Sequence, residues 1–235
     1  MYNVGTRCNI CTGCGRCFGN KEGIHVVTGS NLTEKCQKGA VFEEEYQKNC
    51  NDSCMYQKVI AVDIGTTTIA MILYDQAGQE EDSFVTVNPQ VKYGADVLSR
   101  ILAAEDCQAA KDMQHKVLEV LACGIRQFRK NQAKDGQPEF RMVIAANTTM
   151  IYLLLGLEPS ELGRAPFSAS HLSMQKLSVE GVTATTLPGI SAFVGGDILA
   201  GIYACGMTDR EDITLLIDLG TNGEMALGSS KGVIA

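Results

Sequence analysis

The sequence predicts a layered α/β fold, and three observations predict it. Two runs rich in Val and Ile, KVIAVDIG and TIAMILYD, lie side by side between Lys58 and Asp75, with a Gly- and Thr-rich turn between them. Two stretches with apolar residues at helical spacing follow. One carries Ala95, Leu98 and Leu102, the other Val117, Val120, Leu121 and Ile125. Much later the strand–turn–strand layout returns in ITLLIDLG and EMALGSS. Strands that alternate with helices imply a sheet covered by helices.

Taken in order, DSFVTVN reads as a third strand, ending before Pro89. YGADVLSRILAAED and KDMQHKVLEVLACGIRQFRKN read as helices, and KDGQP, 134–138, as a turn. RMVIAAN reads as a buried strand, and TTMIYLLLGL as a strand-to-helix passage stopped by Gly156 and Pro159. SAFVGG reads as a short strand and DILAGIYACGM as a helix. The expected division is a Cys-rich head over 1–57, a first α/β unit over 58–212, and the start of a second unit over 213–235.

Bulk properties narrow the function. The chain has 235 residues, 45% of them hydrophobic and 20% charged, which suits a globular protein with a sizeable core. Its net charge of −7 speaks against nonspecific nucleic-acid binding, which rests on Lys and Arg neutralising phosphates. MYNVGTRCNI lacks the basic and apolar layout of a secretion signal, and the longest apolar run, around MIYLLLGL, is too short to cross a bilayer. A cytoplasmic, membrane-free setting is expected.

The repeated turn carries the chemistry. In Asp63-Ile64-Gly65-Thr66-Thr67-Thr68, Gly65 lets the backbone bend and a ligand come close. Successive amides in such a bend form a concavity for anions, and the hydroxyls of Thr66, Thr67 and Thr68 add neutral donors. Asp63 ends a strand, where a carboxylate can hold Mg²⁺ through water beside a phosphate chain. Asp218, Gly220, Thr221, Asn222 and Gly223 repeat these parts in DLGTNGE. One copy alone reads equally well as a plain hairpin. Two copies, each opening an α/β unit, point to a phosphate cleft. No GxxxxGK[ST] occurs, so this is not a P-loop.

The two turns resemble the phosphate motifs of the ASKHA superfamily, which includes acetate and sugar kinases and actin and has a ribonuclease H-like fold. Within it the segments VDIGTTTIA, NPQVKYGADVLSRI, IAANTTMIYLLLGLEPSELGRAPF, LPGISAFVGGDILAGI and LLIDLGTNGEMALG resemble the ATP-dependent reductive activators of corrinoid proteins. The resemblance implies MgATP held between the turns, with Asp63 and Asp218 positioning Mg²⁺ and the lytic water. It puts Asp197, in Gly195-Gly196-Asp197, on a connecting segment near the phosphates. It implies a corrinoid protein as electron acceptor and reduced ferredoxin or flavodoxin as donor, with a homodimer as a candidate assembly. It also implies a longer second half than the residues after Gly228 supply, so the chain is expected to carry only the start of that half.

Of ten cysteines, seven lie in the head: Cys8, Cys11, Cys14, Cys17, Cys36, Cys50 and Cys54. In a reducing compartment such clustering indicates metal or redox chemistry rather than disulfides. CNICTGCGRC has the spacing to wrap a [4Fe–4S] cluster, although its last gap and Phe18 depart from the bacterial ferredoxin run. Cys11, Cys14 and Cys17 with Cys36, in CQKGAV, form the favoured ligand set; Cys8, Cys11, Cys14 and Cys17 form its rival. Cys50 and Cys54 would cap the set or serve a second site, and a zinc site with C-x2-C and C-x3-C pairs stays open.

Other residues have simpler readings. Cys107, Cys123 and Cys205 fall on helical stretches, His25, His115 and His171 stand isolated, and Glu43-Glu44-Glu45 reads as a solvated face. Asn147-Thr148-Thr149 either lines the cleft or caps a helix, and the GRAPF loop is either a turn or part of a docking surface. Two other functions remain open: a noncatalytic metal-binding and interaction module, and an activator of a 2-hydroxyacyl-CoA dehydratase-type enzyme.

Overall fold

The computed structural model describes residues 58–132 and 139–235. The cysteine head, including Cys8, Cys11, Cys14, Cys17, Cys36, Cys50 and Cys54, lies outside the described residues, as do His25, the Glu43–Glu45 run and the turn expected at 134–138. The described chain falls into two compact units. The larger runs up to Ala200 and also takes in Asp218–Glu224. The smaller comprises Gly201–Ile217 and Met225–Ala235.

The larger unit is built on a six-stranded mixed sheet in the order β3-β2-β1-β4-β6-β5. Its strands are β1 Lys58–Ile64, β2 Thr68–Tyr74, β3 Glu80–Val87, β4 Phe140–Ala146, β5 Lys176–Val179 and β6 Val182–Thr186. β1 pairs antiparallel with β2 and parallel with β4. The alternation in β1 explains its central place. Ile60, Val62 and Ile64 are buried on one face, while Asp63 opens on the other. Its neighbours across the ladder are Ala70 and Ala145, whose small side chains leave room above the carboxylate.

The apolar face is covered by helix α2, Cys107–Asn131, which follows the short helix α1, Val97–Ala103. In α2, Met113, Val117, Leu121, Ile125 and Phe128 recur at helical spacing, are buried, and belong to the same core cluster as Ile60, Val62 and Ile64. Fully burying one such side chain contributes roughly 1.5–3 kcal/mol. The helix is closed by its ends: the Asp106 carboxylate accepts from the amides of Gln108 and Ala109, and Arg129 and Lys130 sit in the last turn. A third helix, α3, Thr148–Leu155, leaves directly from β4 and ends at Gly156 in the left-handed region. The short turn of helix α4, Ser160–Gly163, follows.

One expectation is corrected. SAFVGG is not a strand. Its backbone bends back, with the amides of Ile190 and Ser191 donating to the Val194 carbonyl and the Ser191 hydroxyl accepting from the Phe193 and Val194 amides. These local bonds outcompete a ladder. The strands at this edge are instead β5 and β6, a hairpin whose two-residue turn, Glu180-Gly181, has positive φ at both positions.

Helix α5, Gly196–Ala204, leads out of the larger unit and is followed by strands β7, Thr214–Leu219, β8, Gly223–Ser229, and β9, Gly232–Ile234. These three form their own sheet, β8 and β9 antiparallel. Among the described residues no helix is long and apolar enough to cross a membrane.

Candidate functional site

The site starts from the bend that joins β1 to β2. The Gly65 amide donates to the Thr68 carbonyl at 2.9 Å, and a Cβ on Gly65 would stand 2.9 Å from that oxygen. Glycine is therefore required by close backbone approach. The next three carbonyls are all held from outside the bend. Gly65 accepts from Asn88 Nδ2 at 2.8 Å, Thr66 from the Arg100 guanidinium, and Thr67 from the Asn88 amide at 2.8 Å. A trans peptide points its N–H opposite to its carbonyl. The Thr66 and Thr67 amides are thus turned away from Asn88 and Arg100, and neither has an acceptor among the described residues.

Behind the bend lies a polar support absent from the sequence-based list. Asn88 is fully buried, and its Oδ1 accepts from the Gln90 amide while it caps the 3₁₀ turn Pro89–Tyr93. Gln90, also fully buried, donates to the Met113 carbonyl at 3.1 Å, which ties the turn to α2. Arg100 on α1 is fully buried as well and spreads its donors over Gly94 O, Gln90 Oε1, Met150 Sδ and Thr66 O.

The bend opens onto a cavity of about 470 Å³ lined by Asp63, Gly65, Thr66, Thr67, Thr68, Ala145, Asn147, Asp197, Ala200, Asp218, Gly220, Thr221, Asn222 and Glu224. All of these residues belong to the larger unit. The two repeated turns meet here: the hydroxyls of Thr67 and Thr221 share a 2.8 Å hydrogen bond. Asp63, Asp218, Asp197 and seven of the eight other positions expected at the phosphates therefore converge. Gly223 is the exception; Glu224, one residue on, lines the wall instead. Asn147 does both things considered for it. It caps α3 by accepting from the Met150 amide, and its Nδ2 reaches Thr66 Oγ1 at 3.3 Å.

Asp197 is brought in by a tight junction. A Cβ on Gly195 would stand 2.5 Å from Asn147 Cα and 2.6 Å from Ala146 O, so only glycine lets the start of α5 lie against the end of β4. Asp197 then occupies the first turn of α5, with Oδ1 accepting from the Ile198 amide at 2.8 Å.

Four acids thus share one cavity, and their electrostatics show it. Asp63 is pushed up from its ordinary 3.8 to about 6, first by burial and then by Asp197 and Asp218. Water still reaches its carboxylate; protein atoms crowd it on the remaining sides. Burial also raises Asp197, against its hydrogen bonds to backbone amides, and Asp218 adds to the rise. Glu224 is raised by burial, then by Asp197 and Asp218. Like charges that raise one another's proton affinity form a site that a cation relieves. Among the described residues no three His, Cys, Asp or Glu groups converge closely enough to hold a metal ion directly.

The remaining candidates lie elsewhere. Cys107 and Cys123 are exposed and Cys205 is buried. His115 is 3.5 Å from Glu119 one turn along α2, and the His171 ring meets Tyr152 edge-on. In the GRAPF loop Phe167 packs on Phe193, ring centroids 5.4 Å apart, and both remain half exposed.

Residues 59–210 match the family described as RACo middle region. The corrinoid activation enzyme RamQ of Eubacterium limosum is 35% identical over 182 residues, which cover 72% of this chain. A solved structure described as a reductive activator for corrinoid, iron-sulfur protein superposes with a TM-score of 0.70 at 29% identity, over 78% of this chain. This chain spans 30% of the length of RamQ and 31% of the solved activator. The chain belongs to the RACo family and carries its middle region.

Proposed function

We propose that this chain belongs to an ATP-dependent reductive activator that delivers a low-potential electron to a corrinoid protein, and that its cavity holds the phosphate chain of MgATP. The observation that carries the reading is the convergence of two DxGT bends and four carboxylates on one cavity. The similarity to RamQ and to the solved activator supplies the corrinoid target.

The residues divide the work by chemistry. The Thr66 and Thr67 amides, with the hydroxyls of Thr67 and Thr221, are donors placed to grip phosphate oxygens. Asp63 and Asp218 hold the water shell of Mg²⁺ and orient the attacking water, and Asp197 and Glu224 add negative charge around the ion. Mg²⁺, when bound, neutralises the phosphate oxygens and the acids together. Closure of the two ASKHA halves around the nucleotide would convert hydrolysis into a change of angle between them. In the head, Cys11, Cys14 and Cys17 with Cys36, or with Cys8, would hold a [4Fe–4S] cluster that supplies one-electron transfer. Reduced ferredoxin or flavodoxin would be the donor.

The test has two arms. Anaerobically purified protein is expected to contain iron and sulfide with a [4Fe–4S] EPR signal after reduction, and to bind a nonhydrolysable MgATP analogue by calorimetry. Asp63→Asn should weaken that binding at least about tenfold while leaving the iron content unchanged. Zinc in place of iron and sulfide overturns the electron-transfer half. Undetectable nucleotide affinity in the wild type overturns the ATP half.

A further inference from the structure

Arg100 raises a question that the proposed function leaves unanswered. Its side chain is fully buried, yet no carboxylate among the described residues forms an ion pair with it. Its partners are neutral: two backbone carbonyls, the Gln90 amide oxygen and the Met150 sulfur. Taking a charge out of water without a counterion is costly. Burial accordingly weakens its hold on its proton, opposed by the more distant Asp96, but a guanidinium stays charged. A buried cation kept against this cost needs an anion or a polarised dipole to compensate it.

The bond to Thr66 identifies the dipole. The Thr66 carbonyl and the Thr67 amide belong to one peptide unit, and the N–H points opposite to the carbonyl. Pulling electron density toward the guanidinium makes that N–H a stronger donor, because hydrogen bonds in series polarise one another. The Thr67 N–H has no acceptor among the described residues, and Thr67 lines the cavity. The neighbouring units repeat the pattern with neutral donors: Asn88 Nδ2 on the Gly65 carbonyl behind the Thr66 amide, and the Asn88 amide on the Thr67 carbonyl.

We propose that Arg100 is a positioning residue for a polyphosphate: it never touches the ligand, but polarises the Thr66–Thr67 peptide so that the Thr67 amide becomes the strongest neutral anion donor of the cavity. The inference rests on the reading of the cavity as a phosphate site and deepens it by naming what selects an anion in a cavity walled by four acids. Asn88 holds the bend in shape; Arg100 gives it charge.

The test uses the full chain, inorganic tripolyphosphate with Mg²⁺ as probe, and ¹⁵N-labelled protein. In the wild type, saturation should move the Thr67 amide proton downfield more than those of Thr66 and Thr68. Arg100→Lys, which keeps the charge, should bind within about threefold of wild type, and Arg100→Met should bind about tenfold more weakly. A purely structural role would instead make both variants lose affinity in step with thermal stability. If Arg100→Met does not fold, the wild-type Thr67 shift and the Arg100→Lys affinity decide. A Thr67 amide that stays still while tripolyphosphate binds overturns the inference and leaves the phosphate reading intact. No tripolyphosphate binding by the wild type overturns both.

Discussion

The two DxGT bends share a motif but not a scaffold. The first, Gly65–Thr68, stands at the edge of the core: Ile64 and Ile69 on either side are buried, and Asn88 and Arg100 fix all three following carbonyls. The second, Gly220–Gly223, has one internal bond, Gly220 N to Asn222 O at 2.9 Å. Its one side-chain tie to the first bend is the Thr67–Thr221 hydroxyl pair. The strand leading into it exposes its apolar residues, with Leu215 at 52%, Ile217 at 49% and Leu219 at 84%. The lesson is that a shared motif supplies the same donors, whereas the surrounding packing decides how they are held. Among the described residues the first bend is held at three carbonyls, and the second by one internal bond and one shared hydroxyl pair.

The largest expected contrast comes from adding one methyl group to each bend. Gly65→Ala would press Cβ to 2.9 Å from the Thr68 carbonyl oxygen, a backbone atom rather than the end of a flexible side chain. A loss of about 3 kcal/mol in denaturant unfolding is expected, along with loss of polyphosphate binding. At Gly220 the nearest atom to an added Cβ is Asn222 O at 3.7 Å, an ordinary contact. Gly220→Ala should change stability by no more than about 0.5 kcal/mol. Equal costs at the two glycines would erase the distinction between a fixed and a loosely held bend.

A second contrast concerns charge at the fixed bend. The folded Asp63 has a pKa of about 6 against an ordinary 3.8. Between those values the folded chain keeps a proton that the unfolded chain has released. The stabilisation from protonated Asp63 is therefore complete below about pH 4 and is lost as pH rises through about 6. At pH 7 the ionised carboxylate opposes folding. Asp63→Asn should then raise unfolding stability at pH 7 by about 1 kcal/mol, less than the full shift implies because water reaches the group. The gain should vanish near pH 4. Added Mg²⁺ should stabilise the wild type at pH 7 and leave the variant behind. A gain that is the same at both pH values would contradict the crowding of acids around Asp63.

These contrasts also show what the sequence can and cannot carry. The strands around Asp63 were readable because Val and Ile alternate with small or polar residues over a whole strand. Helix α2 was readable because its apolar period persists for about four turns, from Met113 to Phe128. The paired turns pointed to residues that line one cavity because Asp, Gly and Thr recur in the same order. Asn88, Gln90 and Arg100 were not legible as a support. Their separation along the chain carries no period, and a buried Arg without an acid beside it looks like any surface Arg until the fold closes over it. The β5–β6 hairpin went unread because KLSV and VTATT are short and polar on one face, and SAFVGG drew the strand assignment with its Phe and Val. Its signal was present in Glu180-Gly181, a two-residue turn flanked by Val179 and Val182. Glu224 took the place expected for Gly223 because β8 begins there, and a strand turns successive residues to opposite sides.

The smallest expected effect tests the link between the bends themselves. Thr67 and Thr221 are both exposed, and water competes for their hydroxyls, so the 2.8 Å bond is expected to contribute only about 0.5 kcal/mol. Thr67→Val and Thr221→Val keep the branched shape and remove one hydroxyl each. If the pair acts as a unit, the double variant should cost less than the sum of the singles by about that amount. The same cycle can be run on tripolyphosphate affinity. There the coupling should grow, because a phosphate oxygen bound by both hydroxyls replaces water as the competing partner and requires the second bend to hold still. Strict additivity in affinity would mean that the second bend grips phosphate without help from the first, and the contrast between the two bends would be lost.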